Sequence, residues 1–499
     1  MVVTSHPLAV DAGLEMLAQG GTAADAAVAA AAVLCVVDPR STGIGGDAFS
    51  IYWAPGLEPS VLDAAGPAPK GMTVGALRAA GHSSMPTDGP WTITVPGAVA
   101  GWSTLMDRFG KLGLEAALDA SVRHARDGFR IERFVAEEWT MAVSKLKRYG
   151  GEYFLPRGGA PQEGDTFGAP ELADVLGAIA ASGPDAFYRG RCADAIATAV
   201  DDAGGPLTAV DLAEWSGPRW VDPISARYRD VTLYELPPPG QGVVALEALG
   251  IYSGDDADGP QAEHAAIEAM KIALADAEAY LADPAFADVP VWSFLDPAYL
   301  ARRRIEINPD RAAVARPGLA SDTAYVCAVD SDGAACSFIQ SLYEGFGSGV
   351  VANGIALQNR GAGFVLDDEH PNRPAPGKRP YHTIIPAMMG DSWGFRGCLG
   401  IVGGFMQPQG QMQIVRYLID EGLEPQAALD APRWRVIEDR KVSFEPTFDS
   451  AVVDALASKG HEVGELGRFE AGGAQMIWRD ENGLSGATDP RKDGRVGAL

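Results

Sequence analysis

The chain has 499 residues, of which 47% are hydrophobic and 21% charged, the composition of an ordinary soluble globular protein. A net charge of −26 excludes nucleic acid and anionic membrane surfaces as general partners, since both would be repelled, but it says nothing about the local field of a pocket. The length allows two or three domains, or one large layered fold. The opening Met1-Val2-Val3-Thr4-Ser5-His6-Pro7 has no basic region and no apolar core behind it, so no signal peptide and a cytoplasmic setting are expected. The longest apolar stretch, Ala26–Val37, is too short to span a bilayer. Five cysteines (Cys35, Cys192, Cys327, Cys336, Cys398) are scattered without a C-x-x-C pair, which argues against zinc and against a disulfide framework. No metal and no cofactor is expected.

In chain order, Val10, Leu14 and Leu17 fall at helical spacing, and Gly20-Gly21 ends that pattern. Thr22 is a plausible N-cap for a buried Ala-rich helix, Ala23–Val37. The turn Gly43-Ile44-Gly45-Gly46-Asp47 leads into a strand over 48–53; it lacks a third glycine and precedes a strand, which rules out a dinucleotide fingerprint. Residues 57–90, rich in Gly, Pro and Ser, predict a surface excursion. Thr94-Val95-Pro96-Gly97 should open a helix, and 103–320 reads mostly as helices, for example Glu263–Tyr280 and Pro297–Arg304, broken by the turn-rich Leu236–Gly242. Beyond 350 the pattern becomes strand-rich, with runs at Val350–Leu357, Ile384–Met388 and Gly397–Val402, then a helix over Gln409–Asp420.

The most informative segment is Asp322-Thr323 followed by the alternating run Ala324–Val329. This predicts a strand that opens on a threonine, a tight turn at Ser331-Asp332-Gly333, and a return strand over 334–341. A threonine hydroxyl is a weak nucleophile and needs a base within hydrogen-bond reach. A free peptide α-amine can be that base, because it titrates at about 7.7–8.0 and is partly neutral near pH 7. No histidine would then be required. A serine-hydrolase elbow is the competing chemistry, but in Gly345-Phe346-Gly347-Ser348-Gly349 a phenylalanine stands where the first glycine belongs.

The threonine-headed hairpin, Phe346–Val350, Lys378-Arg379-Pro380, Gly403-Gly404, Ala431-Pro432-Arg433 and Thr488-Asp489-Pro490-Arg491 together resemble the gamma-glutamyltransferase family of N-terminal-nucleophile hydrolases, over essentially the whole chain. The resemblance implies a four-layer αββα fold, in α+β class, built from both halves of a self-cleaved precursor. These halves would be a large fragment, 1–322, and a small fragment, 323–499, forming one structural domain with cleavage between Asp322 and Thr323. It implies that Thr323 is the nucleophile, that Gly403 and Gly404 supply the oxyanion hole, that Ser341 supports the threonine and that Tyr343 forms a pocket wall. The cleaved chains would pair with each other, with a dimer of such heterodimers as one form, and the partner would be a small-molecule amide.

Gamma-glutamyl recognition in that family needs an arginine for the substrate α-carboxylate and an acid for its α-ammonium. Here Met72 falls at the arginine's place, with Lys70 the only nearby cation, and Gly363 falls at the acid's place. His382-Thr383 replace a pair of substrate-contacting serines. A bound glutamyl group would leave its charges unpaired, which costs several kcal/mol if buried. A new cation, Arg360, appears in Gln358-Asn359-Arg360-Gly361 and can grip a carboxylate in two-pronged fashion. That string, His382-Thr383 and Gly403–Gln409 resemble a branch that includes oxamate amidohydrolases and cephalosporin acylases. The leading expectation is hydrolysis of a small carboxylate-bearing amide such as oxamate. Gamma-glutamyl hydrolysis or transfer, a cephalosporin-type acylase, and an unprocessed, catalytically silent binding protein remain as alternatives.

Overall fold

Local sequence places the first layer through the helix Ala23–Val37. The Thr22 hydroxyl accepts from the Asp25 amide while the Asp25 carboxylate accepts from the Thr22 amide, a reciprocal capping box. Every residue of this helix is buried. The computed structural model describes residues 1–253, 258–314 and 322–499, and it mixes helices with two large antiparallel sheets.

The first sheet has seven strands in the order Arg495–Gly497, Val2–Thr4, Asp322–Val329, Ala335–Tyr343, Asp47–Trp53, Ser60–Ala64 and Arg219–Val221. The predicted threonine-headed hairpin is thus its centre. The second has six: Gly483–Thr488, Ala474–Asp480, Gly394–Ile401, Ala387–Asp391, Val231–Glu235 and Ile224–Tyr228. The alternation of the Asp322–Val329 strand now has a physical meaning. Ala324, Val326 and Ala328 face the apolar cluster of the Ala23–Val37 helix, while Tyr325, Cys327 and Val329 face a cluster shared with Met388, Cys398 and Ile477 of the second sheet. The strand is buried on both sides, so its period-two pattern sorts two apolar faces rather than an apolar from a polar one. Helices Gly242–Tyr252, Gly259–Tyr280 and Met406–Ile419 pack with the second sheet in a separate cluster.

Several expectations change. Residues 57–90 are not only an excursion, because Ser60–Ala64 is an inner strand of the first sheet. The 103–320 region contributes a hairpin, Ile224–Tyr228 with Val231–Glu235, to the second sheet. Val350–Leu357 is a miniature hairpin of Val351–Ala352 and Ile355–Ala356, because Asn353 and Gly354 take positive φ and turn the chain back. The strand expected at Ile384 begins at Ala387, after Pro386, whose nitrogen has no hydrogen to give a ladder. The helix expected from Gln409 starts at Met406, with Pro408 in its first turn, where amides lack helical partners anyway. Among the described residues no helix is long and apolar enough to cross a membrane.

Between the two sheets the Tyr325 ring lies against Gly400; a Cβ there would sit 2.2 Å from Tyr325 Cδ2. Gly400→Ala should therefore destabilise the protein by roughly 1–3 kcal/mol, read as a lower urea midpoint, as expected when a packed interior must shift. An unchanged midpoint would show that the sheets have slack at this point.

Candidate active site

Thr323 stands at the head of its strand and is buried. The backbone of Asp322 pairs with Tyr343, while the side chain of Asp322 lies outside the described residues. Between Gln340 and Tyr343 the ladder register shifts, so the return strand bulges opposite the threonine. Tyr343 leaves this bulge with φ of 84°, a conformation that costs a non-glycine residue about 1–3 kcal/mol and that clusters at functional sites. The bulge aims Ser341 at the threonine. Ser341 Oγ accepts from the Tyr343 amide at 2.8 Å and lies 3.4 Å from Thr323 Oγ1, which donates to it. From the other side Gln407 Nε2 donates to Thr323 Oγ1 at 3.0 Å, and Gln407 Oε1 accepts from the Ile385 amide at 2.9 Å.

Gly403 and Gly404 join the strand Gly394–Ile401 to the helix Met406–Ile419, with φ of 113° and 59°. Both values lie where side chains are disfavoured, so the turn requires glycine. Their carbonyls are engaged: Gly403 O accepts from the Met406 amide, and Gly404 O from the Gln407 amide, both at 3.0 Å. Gln241 Nε2 also donates to Gly404 O at 2.9 Å and to Thr383 O at 2.6 Å, while Gln241 Oε1 accepts from the Tyr381 hydroxyl. Among the described residues neither glycine amide meets an acceptor, which leaves two N–H donors near the head of a helix for a developing anion.

Arg360 is fully buried in a short 3₁₀ turn, Arg360–Gly363. One of its nitrogens, Nη1, donates to Thr383 Oγ1 at 2.8 Å, and its guanidinium stacks 4.3 Å from the Tyr343 ring centroid. Nε and Nη2 are buried without a hydrogen-bond partner. Burial pulls the Arg360 pKa down to about 10, opposed by Asp47 and Tyr343, so it remains a cation at neutral pH. His382 donates from Nε2 to Asp47 Oδ2 at 3.2 Å; burial, and then Arg360, hold its pKa well below the ordinary value, so it is neutral.

Asp47 links these groups. Its Oδ1 accepts from the Gly66 amide at 3.1 Å, the Gly97 amide at 3.0 Å and Gln358 Nε2 at 3.1 Å. Asp47, Gln407 and Gln241 are hydrogen-bonded neighbours of the candidate site that the sequence did not single out. Asp47 ends the glycine cluster 43–46, and Gln407 falls one helical turn beyond the glycine pair, so each carried a positional signal. Gln241, in a turn-rich break, carried none.

The positions that the resemblance matched to a glutamyl clamp have the following surroundings. Met72 is buried against Ala68, Leu77 and Phe364. Lys70 is exposed and paired with Glu214. At Gly363 a Cβ would lie 2.6 Å from Tyr381 O, so no acid fits there without moving backbone. Arg379 of the Lys378-Arg379-Pro380 motif is an anchor, bonded to Asp63 and Asp283. The group with metal-ligand chemistry among the described residues, His264, Glu268 and His461, is filled from within. Lys271 Nζ donates to Glu268 Oε1 at 2.8 Å, and His264 Nδ1 shares a hydrogen bond with His461 Nε2 at 2.8 Å.

Burial raises the Asp47 pKa to about 7, with Arg360 and its hydrogen-bond donors opposing the rise. The unfolded value is about 3.9, so the fold favours the protonated acid, and the stability it contributes is full below about pH 4 and lost as pH rises through about 7. Asp47→Asn cannot ionise and should lack this slope. Thermal midpoints of variant and wild type, compared from pH 4 to 8, should shift in the variant's favour as pH rises; a constant difference would mean that the donors keep Asp47 ionised throughout.

The gamma-glutamyltranspeptidase family profile matches residues 9–499. The glutathione hydrolase-like YwrD proenzyme of Bacillus subtilis is 37% identical, covering 99% of this chain and 97% of that protein. The oxamate amidohydrolase proenzyme of Klebsiella pneumoniae is also 37% identical, with the same coverage of 99% and 97%. The crystal structure of cephalosporin acylase from Bacillus halodurans superposes with a TM-score of 0.95 at 43% identity, covering all of this chain and 95% of that one. From its matching profile and its near full-length relatives, this chain belongs to the gamma-glutamyltranspeptidase family.

Proposed function

We propose that this chain is a self-processed amidohydrolase that cleaves a small amide bearing a carboxylate, with oxamate as the first candidate substrate. The observation that carries the reading is a buried arginine with two unpartnered nitrogens, Arg360, in one hydrogen-bonded network with a threonine hydroxyl and a glycine turn. The network runs from Arg360 through Thr383 O and Gln241 to Gly404, and through the Tyr343 ring to Ser341 and Thr323.

Cleavage before Thr323 frees its α-amine, which takes the hydroxyl proton as Oγ1 attacks the amide carbonyl. The Gly403 and Gly404 amides stabilise the tetrahedral oxyanion, and Ser341 and Gln407 hold Oγ1 in position. The amine then passes its proton to the departing ammonia or amine. A water molecule hydrolyses the resulting threonine ester and frees the enzyme. The substrate carboxylate sits on Arg360 Nε and Nη2 as a two-pronged, charge-assisted pair.

The missing glutamyl clamp supports an oxamate-like acyl group over glutathione, as does the likeness to an oxamate amidohydrolase proenzyme. The likeness to a glutathione hydrolase-like proenzyme keeps gamma-glutamyl hydrolysis as the second reading. Fragments 1–322 and 323–499 would stay paired, because the strand beginning at Thr323 lies between Val2–Thr4 of one and Ala335–Tyr343 of the other. Helices on the outer sides of two facing sheets support the four-layer αββα description.

On a denaturing gel the purified protein should give two bands, 1–322 and 323–499, and Thr323→Ala should give one band and no turnover, with Thr323→Ser partly active in both. A Thr323→Ala protein that still cleaves would remove this residue from the mechanism. A wild type that stays intact would favour a silent binding protein.

Ammonia release from oxamate, assayed beside release of p-nitroaniline from a gamma-glutamyl anilide, separates the two enzymatic readings, and robust anilide turnover would overturn the first. Arg360→Ala should raise KM for the anionic amide by a factor on the order of 30 or more, equivalent to roughly 2–5 kcal/mol for a lost charge pair. Arg360→Lys should recover part of that loss. Equal losses on anionic and neutral amides would make Arg360 a residue of the fold alone.

A further inference from the structure

A cleft of about 360 Å³ opens beside the glycine turn, with Gly403 in its wall. Arg40, Lys145 and Arg435 bring three cations to it, and Glu344 and Glu470 two acids. Most of these charges are engaged. Arg40 lies 3.8 Å from Glu138, and Lys145 donates to Gly345 O and Gly347 O at 3.0 Å and lies 3.7 Å from Glu344. Glu470 Oε2 accepts from the Gly467 amide at 2.8 Å.

Arg435 is different. It projects from the strand Trp434–Glu438 and is 5% exposed. Its guanidinium makes one long bond, from Nη1 to Glu470 O at 3.4 Å, and its Nε is buried without a partner. No carboxylate among the described residues lies within ion-pair distance of it. Desolvation lowers its pKa, with Glu470 opposing from beyond ion-pair distance. A buried arginine that faces a cleft and has no carboxylate within ion-pair distance among the described residues can be completed by an anion brought from outside.

Arg360 and Arg435 belong to different surroundings of the glycine turn. Arg360 contacts Thr383 and Tyr343, whereas Arg435 lies in the cleft that Gly403 borders. With the acyl carboxylate on Arg360, the cleft is left for the nitrogen side of the scissile amide. We propose that Arg435 is a specificity-determining residue that binds a carboxylate on the leaving amine, so that the preferred substrates are amides of amino acids carrying an anion on each side of the bond. This rests on the proposed amidohydrolase reading for its orientation.

The test compares kcat/KM for two pairs of amides that differ only in the charge of the leaving amine. One pair is N-carboxymethyl oxamate and N-methyl oxamate, and the other gamma-glutamylglycine and gamma-glutamylmethylamide, with released amine quantified by chromatography. Mature wild type should favour the anionic member of the pair it hydrolyses by about tenfold or more, the size of a modest charge-assisted contact. Arg435→Gln should bring that ratio to within about twofold, and Arg435→Lys should keep an intermediate one, which a residue needed only for folding would not do. Two gel bands from each variant check that it has folded and matured. Preference without dependence on Arg435, or turnover with no preference, overturns the subsite while leaving the amidohydrolase standing. Turnover of neither pair overturns the subsite, and ammonia release from oxamate then decides the amidohydrolase reading on its own.

Discussion

The carboxylate of Asp47 is the constraint on which the rest of the site depends. It gathers four stretches that are far apart in the chain: the backbone at Gly66, the backbone at Gly97, the Gln358 side chain and the His382 ring. Its own strand pairs with the return strand of the hairpin, where Ser341 stands opposite it. One buried acid thus sets where the Gln358-Asn359-Arg360 segment and the His382-Thr383 segment sit relative to the threonine. Its burial is costly, and the nearby Arg360 and the hydrogen-bond donors offset that cost. The same logic recurs where Arg433 and Asp489, both fully buried and 2.6 Å apart, join the Ala431-Pro432-Arg433 and Thr488-Asp489-Pro490 strings.

Strain at the hairpin is part of the same arrangement. A regular ladder would continue past Gln340 and give Ser341 no reason to meet the head of the opposing strand. The register shift, and a tyrosine held at positive φ, turn the Ser341 hydroxyl toward Thr323 and lay the Tyr343 ring under the Arg360 guanidinium. The surrounding packing overdetermines this conformation, since Tyr343 is itself buried. Gln407 completes the setting from the opposite sheet's helix, so the proposed nucleophile is held by groups from two layers.

On the proposed function, recognition in this chain has been rebuilt rather than lost. Where a glutamyl clamp would place its cation, Met72 fills an apolar pocket with Leu77 and Phe364. Where it would place its acid, the Tyr381 carbonyl leaves no room for a side chain at Gly363. The cation proposed in its stead is Arg360, which donates to Thr383 Oγ1, a position that the resemblance matches to serine. On the proposed function, charge complementarity has moved to another segment, and the groups hydrogen-bonded to Thr323 need not change for it to do so.

The sequence alone determined the elements whose signals are local. The Thr22 capping box, the helix Ala23–Val37, the hairpin around Gly333 and the glycine turn at 403–404 all follow from neighbours a few residues apart, because capping, turn formation and strand alternation are short-range interactions. Thr323, Ser341, Tyr343, Arg360 and Thr383 were singled out through motif resemblance and the departures from it, and the structure places them in one set of hydrogen-bond and ring contacts. Tertiary structure decided the rest. Ser60–Ala64 became an inner strand because its neighbours come from residues 47–53 and 219–221, and no local pattern encodes such partners. Asp47, Gln241 and Gln407 acquired their roles from atoms up to several hundred residues distant. A buried polar side chain is defined by what it bonds to, and those partners exist only once both sheets have packed.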